Sequence, residues 1–70
     1  MIIYKKLWKL LIDKGMNKTQ FRLLAGLTTP TLAKLGKSEH VSTETINKIC
    51  KALNVQLADI MEYIPDKEDN

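Results

Sequence analysis

The sequence predicts an all-α domain, and the glycine positions and the apolar spacing both support this. Gly15, Gly26 and Gly36 each follow a helix-like segment, and Asn54 follows a fourth one. Glycine and asparagine most readily adopt the left-handed conformation with which helices often end. Between these positions apolar residues recur at intervals of three and four, and no alternation of period two is evident beyond residue 4. We therefore expect five helices in one compact domain.

The first predicted helix has one apolar face, formed by Tyr4, Leu7, Trp8 and Leu11. Residues 1–4 are either a short extended arm or the frayed start of this helix. Ile2 and Ile3 are apolar yet precede the first helical repeat. We therefore expect them to bury against a partner subunit or to pair as short strands across a dimer.

The second and third predicted helices each begin after a residue that favours a helix start. Asn17 precedes Lys18–Ala25 and Thr28 precedes Thr29–Leu35, and both side chains can accept hydrogen bonds from a first helical turn. Only two residues separate the second helix from Thr28, so the helices must cross at about 90–120°, as in a helix-turn-helix. Leu27 is expected beneath this corner. The apolar positions of the two helices are Phe21, Leu24, Ala25, Leu32 and Leu35.

The last two helices follow from the same signals. Ser42 precedes the fourth helix, Thr43–Leu53, whose apolar face is Ile46, Ile49, Cys50 and Leu53. The spacing of Leu57, Ile60, Met61 and Ile64 predicts a fifth helix. Pro65 should stop that helix because proline cannot continue one. Residues 1–64 are expected to form the domain and residues 65–70 a disordered acidic tail.

Length and composition exclude several classes of function. A chain of 70 residues makes one small domain, too small a scaffold to wall off a cleft in most enzymes, and the sequence has no Gly-rich phosphate loop, so we expect no enzyme and no cofactor. One cysteine, Cys50, and one histidine, His40, form neither an internal disulfide nor a structural zinc site. The longest aliphatic run, Leu10–Ile12, is too short to span a membrane, and no signal peptide precedes it. A cytoplasmic location is expected.

The net charge of +3 is distributed unevenly along the chain. Residues 1–54 carry ten Lys or Arg against three acidic residues, a charge of +7, whereas residues 55–70 carry a charge of −4. A small domain with a basic body favours nucleic acid as a partner. A net charge of this size is also usual for a soluble small domain, so charge alone leaves both readings open.

The stretch NKTQFRLLAGLTTPTLAKL, residues 17–35, resembles the helix-turn-helix of phage-repressor-like (Xre/Cro-type) regulators. The resemblance continues through Val41–Val55 and Asp59–Ile60 and covers about residues 5–63. It implies a compact five-helix, lambda-repressor-like DNA-binding domain. The residues that carry it are Phe21, Gly26, Leu27, Thr28, Leu32, Ile46, Ile49, Leu53, Asp59 and Ile60.

The sequence departs from the family pattern at two places that bear on the DNA pose. Arg22 stands where relatives usually have a small residue, four positions before the turn glycine, so its stem is expected to run along the surface. The third helix is expected to end at Gly36, about half a turn earlier than in many relatives.

The resemblance implies that the third helix lies in the major groove and touches base edges with its outward residues. The expected base contacts are Thr28, Thr29, Pro30, Ala33 and Lys34. Lys34 can donate to guanine O6 and N7, although phosphate contact or plain solvation remain alternatives for it. The threonine methyl groups and Pro30 suit contact with thymine methyl groups.

A second set of residues is expected to contact phosphates. The start of the second helix offers unpaired N–H groups and the positive end of a helix dipole, and relatives use the loop after the third helix to hold the other side of the groove. The expected phosphate contacts are Asn17, Lys18, Thr19, Gln20, Thr31, Lys37 and Ser38. His40 in that loop is a turn residue, an occasional phosphate donor or a pH switch.

Three further features admit two interpretations each. Cys50 is either a buried small hydrophobe or a redox sensor. Trp8 is either a core anchor or a base-stacking platform, which would need exposure. Lys5, Lys6 and Lys9 either approach DNA or form a solvated helix face.

The sequence therefore predicts a transcriptional regulator that binds double-stranded DNA through residues 17–38, as a homodimer and without metal or membrane. The dimer is expected because one short helix gives weak affinity, which a second half-site contact raises. The rival is a protein-interaction module, antitoxin-like or an adaptor subunit, that uses the apolar start and the acidic tail. DNA binding should weaken steeply with salt, whereas an apolar protein interface should respond little.

Overall fold

The computed structural model describes residues 1–65, and the predicted tail, residues 65–70, lies outside these described residues except for Pro65. The chain forms four α-helices, one 3-10 helix and a two-stranded antiparallel ribbon within this range. In chain order these are β1 (Ile2–Ile3), α1 (Lys5–Asp13), α2 (Lys18–Ala25), α3 (Thr29–Gly36), α4 (Thr43–Leu53), the 3-10 helix (Leu57–Asp59) and β2 (Glu62–Tyr63). No helix of the described part has the length and apolar character that crossing a membrane requires.

The predicted helix starts are confirmed at three caps. The side chains of Asn17, Thr28 and Ser42 accept hydrogen bonds from the backbone N–H three residues further on. Each cap satisfies one of the donors that a helix start leaves unpaired. The helix ends at Gly26 and Asn54 are also confirmed, because these residues are left-handed, with φ of 71° and 55°.

Gly36 does not have the left-handed conformation that its sequence position predicts. It remains within α3, and Ser38 adopts a φ of 55° instead. The reason is that helical hydrogen bonding continues past Gly36, since the Lys37 N–H donates to the Ala33 carbonyl at 3.2 Å. The Glu39 N–H then donates back to the Lys34 carbonyl and closes the end of the helix.

The core lies between the helices and includes residues from all four of them, the corner and the 3-10 segment. Its members, all buried, are Tyr4, Leu7, Leu11, Phe21, Ala25, Leu27, Leu35, Ile46, Ile49, Leu53 and Ile60. Trp8, Leu32 and Cys50 pack against this core half-buried. Leu24, which the spacing assigned to the apolar face of the second helix, is instead exposed, so that assignment is wrong.

The predicted fifth helix is wrong. The segment makes a single 3-10 turn, in which the Ile60 N–H donates to the Leu57 carbonyl at 3.1 Å, and then extends into β2. The apolar spacing does not correspond to one buried face, because Ile60 is fully buried whereas Leu57 is 53% exposed. Pairing with β1 supplies the backbone hydrogen bonds that further helical turns would have made.

The N-terminal arm is extended, as one of the two sequence interpretations has it, but its partner is in the same chain. β1 pairs with β2, with Ile2 opposite Tyr63 and Ile3 opposite Glu62. The prediction that these residues pair across a dimer is therefore wrong for β1. The ribbon joins the two ends of the described chain, since the Ile64 N–H also donates to the Met1 carbonyl at 2.8 Å.

Buried Tyr4 makes the fold less stable at alkaline pH. Burial raises the pKa of its phenol above the ordinary value of 10.0 because the charged form loses its hydration. The folded state therefore favours the neutral phenol. The stability that the neutral phenol contributes is fully present below about pH 10 and is lost as the pH rises above it.

We expect the melting temperature of the parent to fall more than that of Tyr4→Phe between pH 9 and pH 11. Tyr63→Phe, at an exposed position, should behave like the parent. Parallel curves for the parent and Tyr4→Phe would contradict this assignment.

Candidate nucleic-acid interface

The corner between α2 and α3 is built by the backbone of Gly26 and the side chains on either side of it. Gly26 needs its positive φ of 71°, although a Cβ there would meet no atom within 4 Å, so glycine is required by conformation and not by space. The Leu27 N–H donates to the Arg22 carbonyl at 2.9 Å, and the Leu27 side chain is buried beneath the corner, as predicted. The angle between the two helices is thus set by local bonds and by burial.

Arg22 does not simply run out along the surface, as its sequence position suggests. It is half-buried, and its guanidinium donates a hydrogen bond of 3.2 Å to the Leu27 carbonyl. The side chain therefore joins the last turn of α2 to the corner that leads into α3. A small residue at this position could not make that bond, so Arg22 adds a side-chain hydrogen bond that stabilises the corner of the helix-turn-helix.

The residues of α3 divide into an outward and an inward face. Leu35 is fully buried and Leu32 half-buried, and these two side chains fix the rotation of the helix. The predicted base-contact residues lie on the exposed side of the helix and at its cap, and they are Thr28, Thr29, Pro30, Ala33 and Lys34. The structure therefore brings this predicted set together on one surface.

Two of the threonines at the start of α3, Thr28 and Thr31, form hydrogen bonds with each other. The Thr28 hydroxyl accepts from the Thr31 N–H and donates to the Thr31 hydroxyl at 2.9 Å. Thr31 is also half-buried. Thr29, by contrast, is exposed and forms no side-chain hydrogen bond with the described part of the chain. Of the three, Thr29 has the hydroxyl best placed to reach a base or a phosphate.

The start of α2 is organised to present hydrogen-bond donors. The Asn17 side chain accepts from the Gln20 N–H at 2.7 Å, and the Gln20 side chain accepts from the Asn17 N–H at 2.9 Å. This reciprocal cap uses the two amide oxygens and leaves both side-chain NH₂ groups as donors. Within the described residues, the backbone N–H groups of Lys18 and Thr19 also have no acceptor. An oxyanion is the natural ligand of such a donor group at a helix start.

Lys18 lies over an aromatic ring that sequence analysis did not connect with it. Its Nζ is 4.7 Å from the centroid of the Trp8 ring, and Trp8 in turn meets Phe21 edge to face at a centroid distance of 6.4 Å. Trp8 is therefore a partial core anchor that also supports a predicted phosphate-contact lysine. Helical spacing placed Trp8 on the inner face of α1, but only the packing of α1 against α2 brings it to Lys18.

A double-mutant cycle tests this contact. Lys18→Ala and Trp8→Leu should show a coupling free energy of about 0.5–1 kcal/mol in urea unfolding, since cation–π pairs at exposed sites have this strength. Lys37→Ala, combined with Trp8→Leu in the same way, is the matched control and should show additive effects. Additivity for the Lys18 pair would contradict the contact.

The loop after α3 carries the remaining predicted phosphate contacts. Lys37 is exposed at the end of the helix, and Ser38 is half-buried in its left-handed conformation. His40 is exposed and lines a groove with Met1, Tyr4 and Val41. The structure thus places Lys37 at the opposite end of α3 from the corner, and it places His40 beside the N-terminus.

Comparison with known proteins agrees with this architecture. Residues 6–66 match the family model described as the Cro/C1-type HTH DNA-binding domain. The chain is 34% identical over 61 residues to the uncharacterized HTH-type transcriptional regulator YozG of Bacillus subtilis (strain 168), covering 84% of this chain and 73% of YozG. It is 46% identical to the transcriptional regulator VanUg, whose crystal structure superposes with a TM-score of 0.88 and covers 93% of this chain and 87% of that one. The chain therefore belongs to the family of Cro/C1-type helix-turn-helix DNA-binding domains.

Proposed function

We propose that this member of the family, a DNA-binding transcriptional regulator, reads duplex DNA as a homodimer with α3 of each copy in the major groove. Residues 1–64 are the DNA-binding domain in this proposal. The observation that carries it is the division of α3, whose buried Leu35 fixes the rotation that exposes Thr29, Ala33 and Lys34 together. A cytoplasmic location fits a DNA partner.

The proposal assigns separate tasks to the two residue sets. Base edges are read by the residues whose side chains project from the exposed face of α3, which are Thr29, Pro30, Ala33 and Lys34. Lys18 and the free N–H groups at the start of α2 hold phosphates on one side of the groove, and Lys37 holds them on the other. Base contacts specify sequence, whereas phosphate contacts fix position and supply affinity.

The homodimer is proposed on energetic grounds. One eight-residue helix with one exposed lysine on its reading face offers few bidentate donors to bases. Two copies on half-sites about 34 Å apart make the second contact intramolecular and raise the affinity by orders of magnitude. The two half-sites should then be related by a two-fold axis.

Selection from random duplexes at low salt tests the function. We expect enrichment of a sequence with two-fold symmetry, and binding that weakens steeply with salt, because each neutralised phosphate adds about −0.9 to the slope of log K against log salt. An asymmetric site bound by one copy would remove the homodimer from the proposal. If no duplex is enriched, the proposal that this chain binds DNA fails, and the protein-interaction module is favoured instead.

A further inference from the structure

We propose that Trp8 is a positioning residue for DNA binding, because its ring holds the Lys18 ammonium group at the start of α2, where a phosphate binds. Trp8 itself makes no contact with DNA in this arrangement. The role depends on the proposed function, in which Lys18 holds a phosphate at one side of the groove. It adds α1 to the elements that bind DNA, although α1 contains neither the corner nor the reading helix.

The Trp8 ring is held in place by two residues of α2. The Lys18 Nζ lies 4.7 Å from the ring centroid, and the Phe21 ring meets Trp8 edge to face with an angle of 88° between the two planes. Phe21 is fully buried and so fixes Trp8 against the core. Lys18 and Phe21 are three residues apart and share one face of α2. The packing that anchors the Trp8 ring on Phe21 therefore also keeps it beside Lys18.

The aromatic ring holds the ammonium group without cancelling its charge. A carboxylate partner would also hold the lysine, but it would neutralise the cation and repel a phosphate. The first turn of α2 has no acidic residue, and Lys18 forms no ion pair within residues 1–65. The attraction between a ring face and a cation leaves the full positive charge in place. Lys18 is thus restrained and still able to neutralise a phosphate.

The restraint lowers the cost of the phosphate contact. A lysine side chain has many rotamers, and ordering them when DNA binds opposes binding. Trp8 reduces this loss because it limits the rotamers of Lys18 in the free protein. The same turn of α2 carries the N–H groups of Lys18 and Thr19, which have no acceptor in the described part of the chain. A phosphate at this helix start can therefore accept from a restrained ammonium group as well as from the backbone.

Lys37 is a natural control for Lys18. It is the proposed phosphate contact on the other side of the groove, and it is exposed like Lys18. Its side chain has neither a ring nor a carboxylate partner among residues 1–65. The two lysines therefore have the same task, but only Lys18 has an aromatic support.

The contact also distinguishes between the two sequence interpretations of Trp8. A base-stacking platform needs an exposed ring, whereas Trp8 is half-buried and its ring carries the Lys18 ammonium group. Trp8 therefore contributes to DNA binding through Lys18 and not by stacking on a base.

The experiment changes the electron density of the ring and leaves its shape almost unaltered. Trp8 is the one tryptophan of the chain, so chains are prepared in which it carries an increasing number of fluorine atoms on the benzene ring. Fluorine withdraws electrons from the ring face and weakens its attraction for a cation. Each analogue is made with Lys18 intact, with Lys18→Met and with Lys37→Met. Affinity for the selected duplex, shortened to one half-site, is titrated at several salt concentrations.

With Lys18 intact, fluorination should lower the affinity stepwise, by about two- to fivefold in total, as expected for a cation–π contact at an exposed site. The salt slope should stay that of the parent, because Lys18 keeps its charge and still reaches the phosphate. Fluorination should have no effect in Lys18→Met and the full effect in Lys37→Met. A purely structural role of Trp8 would lower the affinity equally in all three backgrounds, and that result would overturn the positioning role.

Trp8→Leu tests the same role with a natural residue. It removes the ring but keeps an apolar side chain, and it should lower the affinity about as far as full fluorination does. Circular dichroism melting establishes whether this variant is folded, and if it is not, the fluorinated series decides alone. A parent that binds DNA with an affinity that fluorination does not change would overturn the positioning role and leave the proposed function intact. If the parent binds no duplex, the proposed function fails and the positioning role fails with it.

Discussion

Replacing Leu53 with alanine is expected to lower the free energy of unfolding by about 2–5 kcal/mol. Leu53 is the last residue of α4 and is 3% exposed, within the core that α4 shares with α2. The truncation removes buried apolar surface and leaves a cavity that rigid neighbours fill only in part. Small domains of this size have about 3–5 kcal/mol of stability from their cores, so the variant should be largely unfolded.

Thermal melting followed by circular dichroism measures this effect. A change of 1 kcal/mol shifts the melting temperature of a domain of this size by about 4–8 °C, so Leu53→Ala should lose at least about 8 °C. Lys48→Ala changes an exposed position of the same helix and should stay within about 0.5 kcal/mol of the parent. A melting temperature for Leu53→Ala within a few degrees of the parent would show that Leu53 does not pack in the core as described.

Lys34→Ala is expected to relax the base preference at one position of each half-site. Lys34 is exposed in the last turn of α3, and a good contact to a guanine edge supplies about 1–3 kcal/mol of discrimination. Binding to unrelated duplexes should change little, because that binding depends on phosphate contacts. Competition among duplexes that differ at single positions measures the effect.

Lys18→Ala and Lys37→Ala should behave differently from Lys34→Ala. Each should weaken binding to all duplexes alike and reduce the salt slope by about 1, as expected for one lost phosphate contact. Similar melting temperatures are the required control, with an allowance for the contact between Lys18 and Trp8. If all three folded variants bind as the parent does, the assignment of α3 and its flanks to the groove fails.

The helix starts were predictable because the signals for them are local. Asn17, Thr28 and Ser42 bond to N–H groups three residues away, so each cap depends on a short stretch of chain. The left-handed turn at Gly26 and the buried Leu27 are similarly local. The outward face of α3 followed because helical periodicity placed Leu32 and Leu35 on its opposite side.

The C-terminal part was predicted incorrectly because a distant segment decides its conformation. The spacing of residues 57–64 fits a helix, yet Glu62 and Tyr63 pair with Ile3 and Ile2 at the other end of the chain. Helical spacing records which residues are apolar, but not which of them will find a partner. Leu57 therefore looked like a core residue but is 53% exposed.

The sequence by itself determined where α2 and α3 begin and end around the corner, and which residues form the outer face of α3. These features depend on hydrogen bonds and periodicity within a few residues. Only the tertiary structure decided that Arg22 bonds to the corner, that Lys18 rests on Trp8 and that β1 pairs with β2. Lys18 and Trp8 belong to different helices, and β1 and β2 to opposite ends of the chain. Arg22 reaches Leu27 across the turn at Gly26, so the shape of that turn sets this contact. Packing and chain direction, rather than any local preference, set the other two.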